Sequence, residues 1–404
     1  MSGTDTMVII GAGLGGVSAA GALRQDGFTG RIVLINNEKE LPYDRPPLSK
    51  SVLQGVETLT DVYLKAPNWY DDNNVELLSG VAATQIKPDQ HQVVLDNGTT
   101  LEYSKLLIAT GAQARRIPAL EQGGVPYFYL RTDLDALGLK EQLGPGKKLV
   151  LIGAGVIGLE TAASATKLGC EVAVVEIAER VMARFMSEDM SAWVQAKHEA
   201  QGVRFYLKDS VAGFSDDSKG LVLASGATLE ADVILIGAGV VPVAELAEAC
   251  GLECNNGIVV NEYCQTSSPD IYAIGDVAFY PDAWMGRPMR SENWLHAQKQ
   301  GECAARNMNG GNEAYGDIQS VWSDQYDFKL QTSGVLEGDQ VVLRGDMSAD
   351  NFMIFYLQDG VVRGVLGVNS AKFMRLAQNM IKAKAPVDVA VLADPAANLK
   401  KAMP

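Results

Sequence analysis

The fold class this sequence predicts is α/β, with a smaller α+β module at its C-terminal end, and three observations carry that prediction. The order strand, glycine turn, helix, strand occurs at MVIIGAGLGGVSAAGALRQDGFTGRIVLINNE and occurs again, beginning at Lys148, at KLVLIGAGVIGLETAASATKLGCEVAVVEIAE. Beyond residue 319 the pattern changes to short strands closed by one helix. Apolar residues make up 47% of the 404 and charged residues 21%, which is the profile of a folded globular chain long enough for two or three domains.

In chain order, Val8 to Ile10 and Ile32 to Ile35 are the buried-strand runs of the first βαβ unit. A helix-poor stretch of alternating strands follows, including HQVVLDNGTTLEY, where Asn97-Gly98 suits a tight hairpin, and then the strand LLIATGA. The second βαβ unit is followed by a similar hairpin signal, LVLASGATLEADVILIGAG. A helix is expected from about Asn293 to Met308. The last module reads as strands at Gln340 to Arg344, Phe352 to Leu357 and Val361 to Val368, with Asp359-Gly360 turning the last pair and a helix at Ala371 to Ala383. These signals divide the chain into a first nucleotide domain of 1–112 and 243–318, a second of 113–242, and a C-terminal α+β domain of 319–404.

Both units carry G-x-G-x-x-G between a strand and a helix, at Gly11, Gly13, Gly16 and at Gly153, Gly155, Gly158. In that context the glycines permit a tight turn, backbone approach to a pyrophosphate and close packing of the helix, whose N-terminus then faces the phosphates. The motif alone is weak, and its position between strand and helix is what gives it force. In the second unit VAVVE ends in Glu176, correctly spaced to accept hydrogen bonds from a ribose 2′-hydroxyl and to repel a 2′-phosphate, so NADH is expected over NADPH. In the first unit the acidic residue expected about 20 positions on is Glu38, with Asn36 and Asn37 immediately after the strand as alternatives. Arg180 and Arg184 follow Glu176 and are candidates for the adenine end or the pyrophosphate.

The formal charge of −15 disfavours nucleic acid and anionic membrane surfaces as partners. Met1 to Met7 is polar rather than secretory, and the longest apolar stretches are broken by glycine short of a spanning length, so a cytoplasmic protein without a membrane anchor is expected. Five cysteines, without C-x-x-C spacing, and three scattered histidines (His91, His198, His296) argue against a zinc or redox-dithiol site, and no metal is expected. The chemistry is therefore expected from a bound cofactor.

Two nucleotide units, LLIATGA (Leu106 to Ala112) and TSSPDIYAIGDVA (Thr266 to Ala278) together resemble the glutathione-reductase-like two-dinucleotide flavoproteins. PYDRPPLSK (Pro42 to Lys50), GVIGLE (Gly155 to Glu160) and WSDQYDFKLQ (Trp322 to Gln331) narrow the resemblance to the oxygenase-coupled NADH:ferredoxin reductases, those of biphenyl and toluene dioxygenases and of the putidaredoxin-reductase type. The likeness runs along essentially the whole chain. It implies FAD on the first domain and NADH on the second, with hydride passing from NADH to FAD and single electrons to a two-iron, two-sulfur ferredoxin that feeds a terminal oxygenase of aromatic hydrocarbon catabolism.

For single residues, the resemblance implies that Asp276 contacts the FAD ribitol, a helix N-cap being its ordinary alternative. It implies a Lys50–Glu160 ion pair that positions flavin and nicotinamide, and Trp322 at the electron exit. Arg45 and Arg131 are candidates for the FAD phosphates, Thr110 for a backbone approach to FAD, and Trp294, opening a helix, for an amide facing the flavin pyrimidine edge. The family often has aspartate where Asn37 stands and asparagine where His296 stands. Disulfide reductases of the superfamily carry their redox cysteine soon after the first ribose-binding strand, and Asn36 to Gly55 contains none, which points to an external acceptor. Arg306, Lys329 and Lys372 are candidates for the ferredoxin dock. Two other readings stay open: reduction of a small oxidant (quinone, oxygen or monodehydroascorbate), and redox-controlled assembly like that of apoptosis-inducing factor.

Overall fold

The computed structural model describes residues 5–216 and 219–403. The start of the polar stretch Met1 to Met7 and the final residue lie outside that range. The chain gathers into two compact units, one of Met1–Asp44, Thr60–Gln113 and Val241–Val321, the other of Arg45–Leu59, Ala114–Val240 and Trp322–Pro404.

In the first unit, five parallel strands form a sheet in the order Ile271–Ala273, Lys105–Ile108, Thr6–Ile10, Arg31–Asn36, Val75–Ser79. Its central strands are continuous apolar runs because both faces are covered, and Val8, Ile9, Leu34, Leu106 and Leu107 are fully buried. The helix Leu14–Gln25 leaves the first glycine turn and packs on the helix Trp294–Met308. The two backbones touch, since a Cβ at Gly301 would collide with the Gly15 carbonyl. A small antiparallel sheet of Ala83–Lys87, Gln92–Leu95 and Thr100–Glu102 contains the expected Asn97-Gly98 turn, with Gly98 at φ +85.

The second unit repeats the scheme, its parallel sheet running Arg204–Leu207, Glu171–Glu176, Lys148–Ile152, Val233–Ile236, Tyr127–Phe128. The helix Val156–Lys167 follows the second glycine turn. An antiparallel sheet in the order Ser320–Gln325, Phe328–Gly334, Val361–Val368, Asn351–Gln358, Gln340–Asp346 forms the C-terminal part, and the helix Ala371–Ala383 packs on two of its strands. Asp359 and Gly360 both have positive φ (+52 and +74), the turn geometry that matches the twist of two adjacent strands. Buried Arg344 donates to the carbonyls of Val391, Leu392, Asp394, Pro395 and Ala397, tying the final segment to the sheet. The fold class is α/β with a C-terminal α+β part, and two strands of that part extend a residue or two beyond their expected ends. Among the described residues no helix is long and apolar enough to cross a membrane.

Candidate active site: two glycine turns and a buried carboxylate

The two glycine turns are built alike, and each glycine has a separate physical reason. Gly11 and Gly153 sit at φ +106 and +108, a backbone region closed to most side chains. At Gly16 and Gly158 a Cβ would collide with the carbonyl of Gly11 or Gly153, so only glycine lets the helix start this close to the strand. At Gly13 and Gly155 a Cβ meets nothing within 4 Å among the described residues, which leaves room in front of each turn. These same two glycines are the helix N-caps, neither helix has a capping side chain, and neither has an acid in its first turn. An uncapped N-terminus of a 12-residue helix, with its partial positive charge and open space before it, fits the pyrophosphate of a dinucleotide.

The turns differ in what closes them. Gly11 N donates to Ile35 O (3.0 Å) and Gly153 N to Val175 O (2.8 Å), so the next residues, Asn36 and Glu176, stand at matching places. The Glu176 carboxylate accepts from Ala154 N (2.7 Å) and Ala178 N (2.8 Å), which fixes it at the rim of its turn. Asn36 instead donates to Glu40 O (2.8 Å) and accepts from Glu38 N (3.2 Å), while the Glu38 carboxylate accepts from Tyr43 Oη. Glu38 is thus two residues beyond the place that Glu176 holds, a register that spacing along the sequence does not reveal.

The other first-unit candidates lie on the loops and helix that follow the sheet. Thr110 Oγ1 donates to Val243 O (2.7 Å). Asp276 lies within the turn Gly275–Val277, whose cap is Ile274, so the helix-cap alternative is not what the structure holds; its carbonyl accepts from Arg290 Nη1 (3.0 Å). Trp294 is the first residue of its helix, capped by Asn293, whose Oδ1 accepts from His296 N (2.8 Å), and the Trp294 indole donates to Asp44 Oδ1 (2.6 Å). His296 is buried against the Tyr280 ring (4.7 Å) with Nδ1 bonded to Tyr315 Oη (2.9 Å), and burial drives its pKa down to about 3. Arg306 is engaged by Glu313, which weakens its claim as a docking cation.

In the second unit Lys50 and Glu160 meet, Nζ to Oε1 at 3.3 Å. The expectation that they pair came from resemblance, because no local signal joins a residue after Pro46–Ser49 to the middle of a distant helix. Glu160 is buried, and its carboxylate also accepts from Ser49 Oγ (2.6 Å) and Ser323 Oγ (2.8 Å). A buried carboxylate with a cation and two hydroxyl donors is satisfied rather than stranded. Arg45 Nη1 donates to Arg131 O, and Arg131 precedes a capping box in which Thr132 and Asp135 bond reciprocally. Trp322 is half-buried on the strand Ser320–Gln325. Arg184 is exposed. Arg180 donates to Met186 O (2.6 Å), Ser191 Oγ (2.8 Å) and Ala183 O (3.1 Å), so three of its five N–H donors brace its own loop.

Sequence reasoning missed Ser49, Ser323, Gln325 and His198, which join Glu160 in one buried polar group. Ser323 and Gln325 alternate with Trp322 and Asp324 along the strand, so two polar residues on the buried face of a period-two pattern were the available signal. A glutamate amid the apolar run Val156–Lys167 was another.

Paired dinucleotide cradles define a pyridine-nucleotide-linked oxidoreductase. The chain belongs to the pyridine nucleotide-disulphide oxidoreductase family, whose pattern it matches over residues 5–301, and a reductase C-terminal domain is matched over 320–403. It is 37% identical over 400 residues to the ferredoxin–NAD(+) reductase component of an anthranilate 1,2-dioxygenase system from Burkholderia cepacia, covering 98% of each chain. Among solved structures it is similar to putidaredoxin reductase in its covalent complex with putidaredoxin (36% identity, TM-score 0.94, 99% of this chain and 98% of that one). It is also similar to a ferredoxin reductase from Rhodopseudomonas palustris (36% identity, TM-score 0.93, 99% and 100%).

Proposed function

We propose that this protein is an FAD-dependent NADH:ferredoxin oxidoreductase that serves a terminal oxygenase. The observation that carries the reading is the pair of uncapped glycine turns in a chain without a cysteine in Asn36 to Gly55, where a thiol relay would lie. Bound FAD would supply the link between two-electron and one-electron chemistry, by which one NADH would reduce two one-electron acceptors with release of NAD+ and a proton. The chain's own task is to bind, orient and exclude water.

In this reading FAD is held through Gly11, Gly13, Gly16, Thr110, Asp276 and Trp294 of the first domain (1–112 and 243–318), and Arg45, Lys50 and Arg131 are the further candidates for its binding. Glu38 or Asn36 takes the adenosine ribose. The second domain (113–242) holds NADH through Gly153, Gly155, Gly158, Glu160, Glu176 and Arg184, and 319–404 forms the C-terminal domain. Glu176 has lone pairs left after its two backbone bonds and so accepts from ribose hydroxyls while repelling a 2′-phosphate. Lys50, fixed by Glu160, orients the reacting rings, and Trp322 lies on the electron exit. The relatives support a ferredoxin as acceptor; in this proposal it is of the two-iron, two-sulfur kind and is met in the cytoplasm.

The test is NADH-dependent reduction of cytochrome c by the FAD-loaded protein, with and without a two-iron, two-sulfur ferredoxin. Rapid reduction only with the ferredoxin is expected. Equal rates without it would assign the protein to small oxidants, and a slow, long-lived reduced form that dimerises would assign it to redox-controlled assembly.

A further inference from the structure

Glu160 is the end of a hydrogen-bonded chain that runs through the core of its unit. Ser323 Oγ donates to Glu160 Oε1 (2.8 Å), Gln325 Nε2 donates to Ser323 Oγ (2.9 Å), His198 Nε2 meets Gln325 Oε1 (2.7 Å), and Tyr326 Oη meets His198 Nδ1 (2.9 Å). Glu160, Ser323, Gln325 and His198 are 4%, 1%, 3% and 0% exposed, so water cannot replace a missing partner.

The polarity of each link follows from the one before it. An ionised carboxylate only accepts, so the single proton of Ser323 points to Glu160. Ser323 then accepts from the Gln325 nitrogen, which turns the Gln325 oxygen toward His198. That oxygen needs a donor, so His198 carries its proton on Nε2, and its bare Nδ1 accepts from the Tyr326 phenol. Burial keeps the imidazole neutral by pushing its pKa down to about 4, so one tautomer persists across the neutral range. On the other side, Ser49 Oγ donates to Glu160 Oε2 (2.6 Å), and the Ser49 carbonyl is held by Ser164 Oγ (2.6 Å), which accepts from Gln54 Nε2 (2.9 Å). Lys50 is the one charged partner of the carboxylate among the described residues, and the more exposed of the two (18% against 5%).

We propose that His198 is a positioning residue for the Lys50–Glu160 pair, acting through Gln325 and Ser323 to fix the carboxylate that aims the Lys50 ammonium. The claim rests on the reading that this pair orients the hydride donor and acceptor. A rigid second layer matters there because a small misplacement of an orienting group is costly in rate.

Two measurements test it. In protein labelled with 15N-histidine, without FAD, His198 is expected as the Nε2–H tautomer from about pH 5 to 8, and an Nδ1–H tautomer overturns the proposal. In FAD-loaded protein, His198→Phe is expected to slow the limiting rate of flavin reduction by NADH about tenfold or more, with FAD content unchanged, while His198→Gln, which restores a donor near the Nε2 place, stays within about threefold. In a Glu160→Gln background His198→Phe is expected to cause no further slowing. Equal slowing in both backgrounds, or wild-type reduction by folded His198→Phe, overturns the proposal and leaves the functional reading intact. Unchanged reduction in Glu160→Gln alone removes that reading and the proposal with it. If His198→Phe does not fold, Gln325→Leu cuts the same chain one link nearer and is judged by the same outcomes.

Discussion

Acid should destabilise this protein through two buried histidines. His198 and His296 are buried as neutral rings, with pKa values pushed from 6.5 down to about 4 and about 3, in both cases chiefly by loss of hydration. Hydrogen bonding to Gln325 for His198, and the nearby Asp282 carboxylate with Gln300 for His296, offset only part of that loss. In the unfolded chain each ring takes up a proton below about pH 6.5, whereas the folded chain does not. The unfolded state therefore binds more protons between the two values, and stability falls as the pH drops through that window. At about pH 5 each ring is about 1.5 units below its unfolded pKa, which at ~1.36 kcal/mol per unit costs about 2 kcal/mol, or about 4 kcal/mol for the pair. Against a typical total of about 5–15 kcal/mol that is a large share. The assay is urea unfolding of wild type and His296→Asn at about pH 7.5 and about pH 5, because the difference between the two proteins cancels the carboxylates they share. The variant should lose about 2 kcal/mol less than wild type between the two pH values. Equal losses would show that the ring is not held neutral, and the argument would fall.

Three further outcomes are expected. Glu176→Arg removes the acceptor for two backbone amides and the carboxylate at the ribose rim, so kcat/KM for NADH should fall at least about tenfold while NADPH gains; an unchanged ratio would unseat Glu176. Gly16→Ala sets a methyl against the Gly11 carbonyl, so the protein should purify without flavin colour, and yellow protein with normal FAD content would contradict the crowding read from the turn. Arg344→Leu strands five carbonyl acceptors between residues 391 and 397 and should cost about 2–4 kcal/mol, seen as a lower melting temperature and early proteolytic loss of the C-terminal segment; resistance equal to wild type would refute the clamp.

The parts of this structure that were legible in the sequence are those written in local periodicity. Both glycine turns, the helices after them and the 361–368 strand announce themselves within a dozen residues, because strand burial, turn φ values and helix start are short-range properties. Residues whose place depends on packing across long separations were not legible. Nothing near Lys50 in the sequence indicates Glu160, and nothing near His198 indicates Gln325. Arg180 illustrates the converse: a cation just past a ribose-binding strand reads as a ligand contact, and the sequence does not show that three nearby acceptors take three of its five N–H donors. Glu38 shows that counting residues after a motif does not fix register, since the hydrogen bond from Gly11 to Ile35 puts Asn36 first.

The backbone meeting of Gly15 with Gly301 has a bearing on biosynthesis. The sheet that opens with Thr6–Ile10 is completed only by Ile271–Ala273, and the helix that covers its first turn ends at Met308. During translation the amino-terminal strand and helix emerge long before their partners, whereas the parallel strands Lys148–Ile152, Glu171–Glu176, Arg204–Leu207 and Val233–Ile236 leave the ribosome within one continuous stretch. Closing the larger loop costs more chain entropy and comes late, so the later-encoded cradle should mature first, and uptake of FAD should wait until most of the polypeptide has been made.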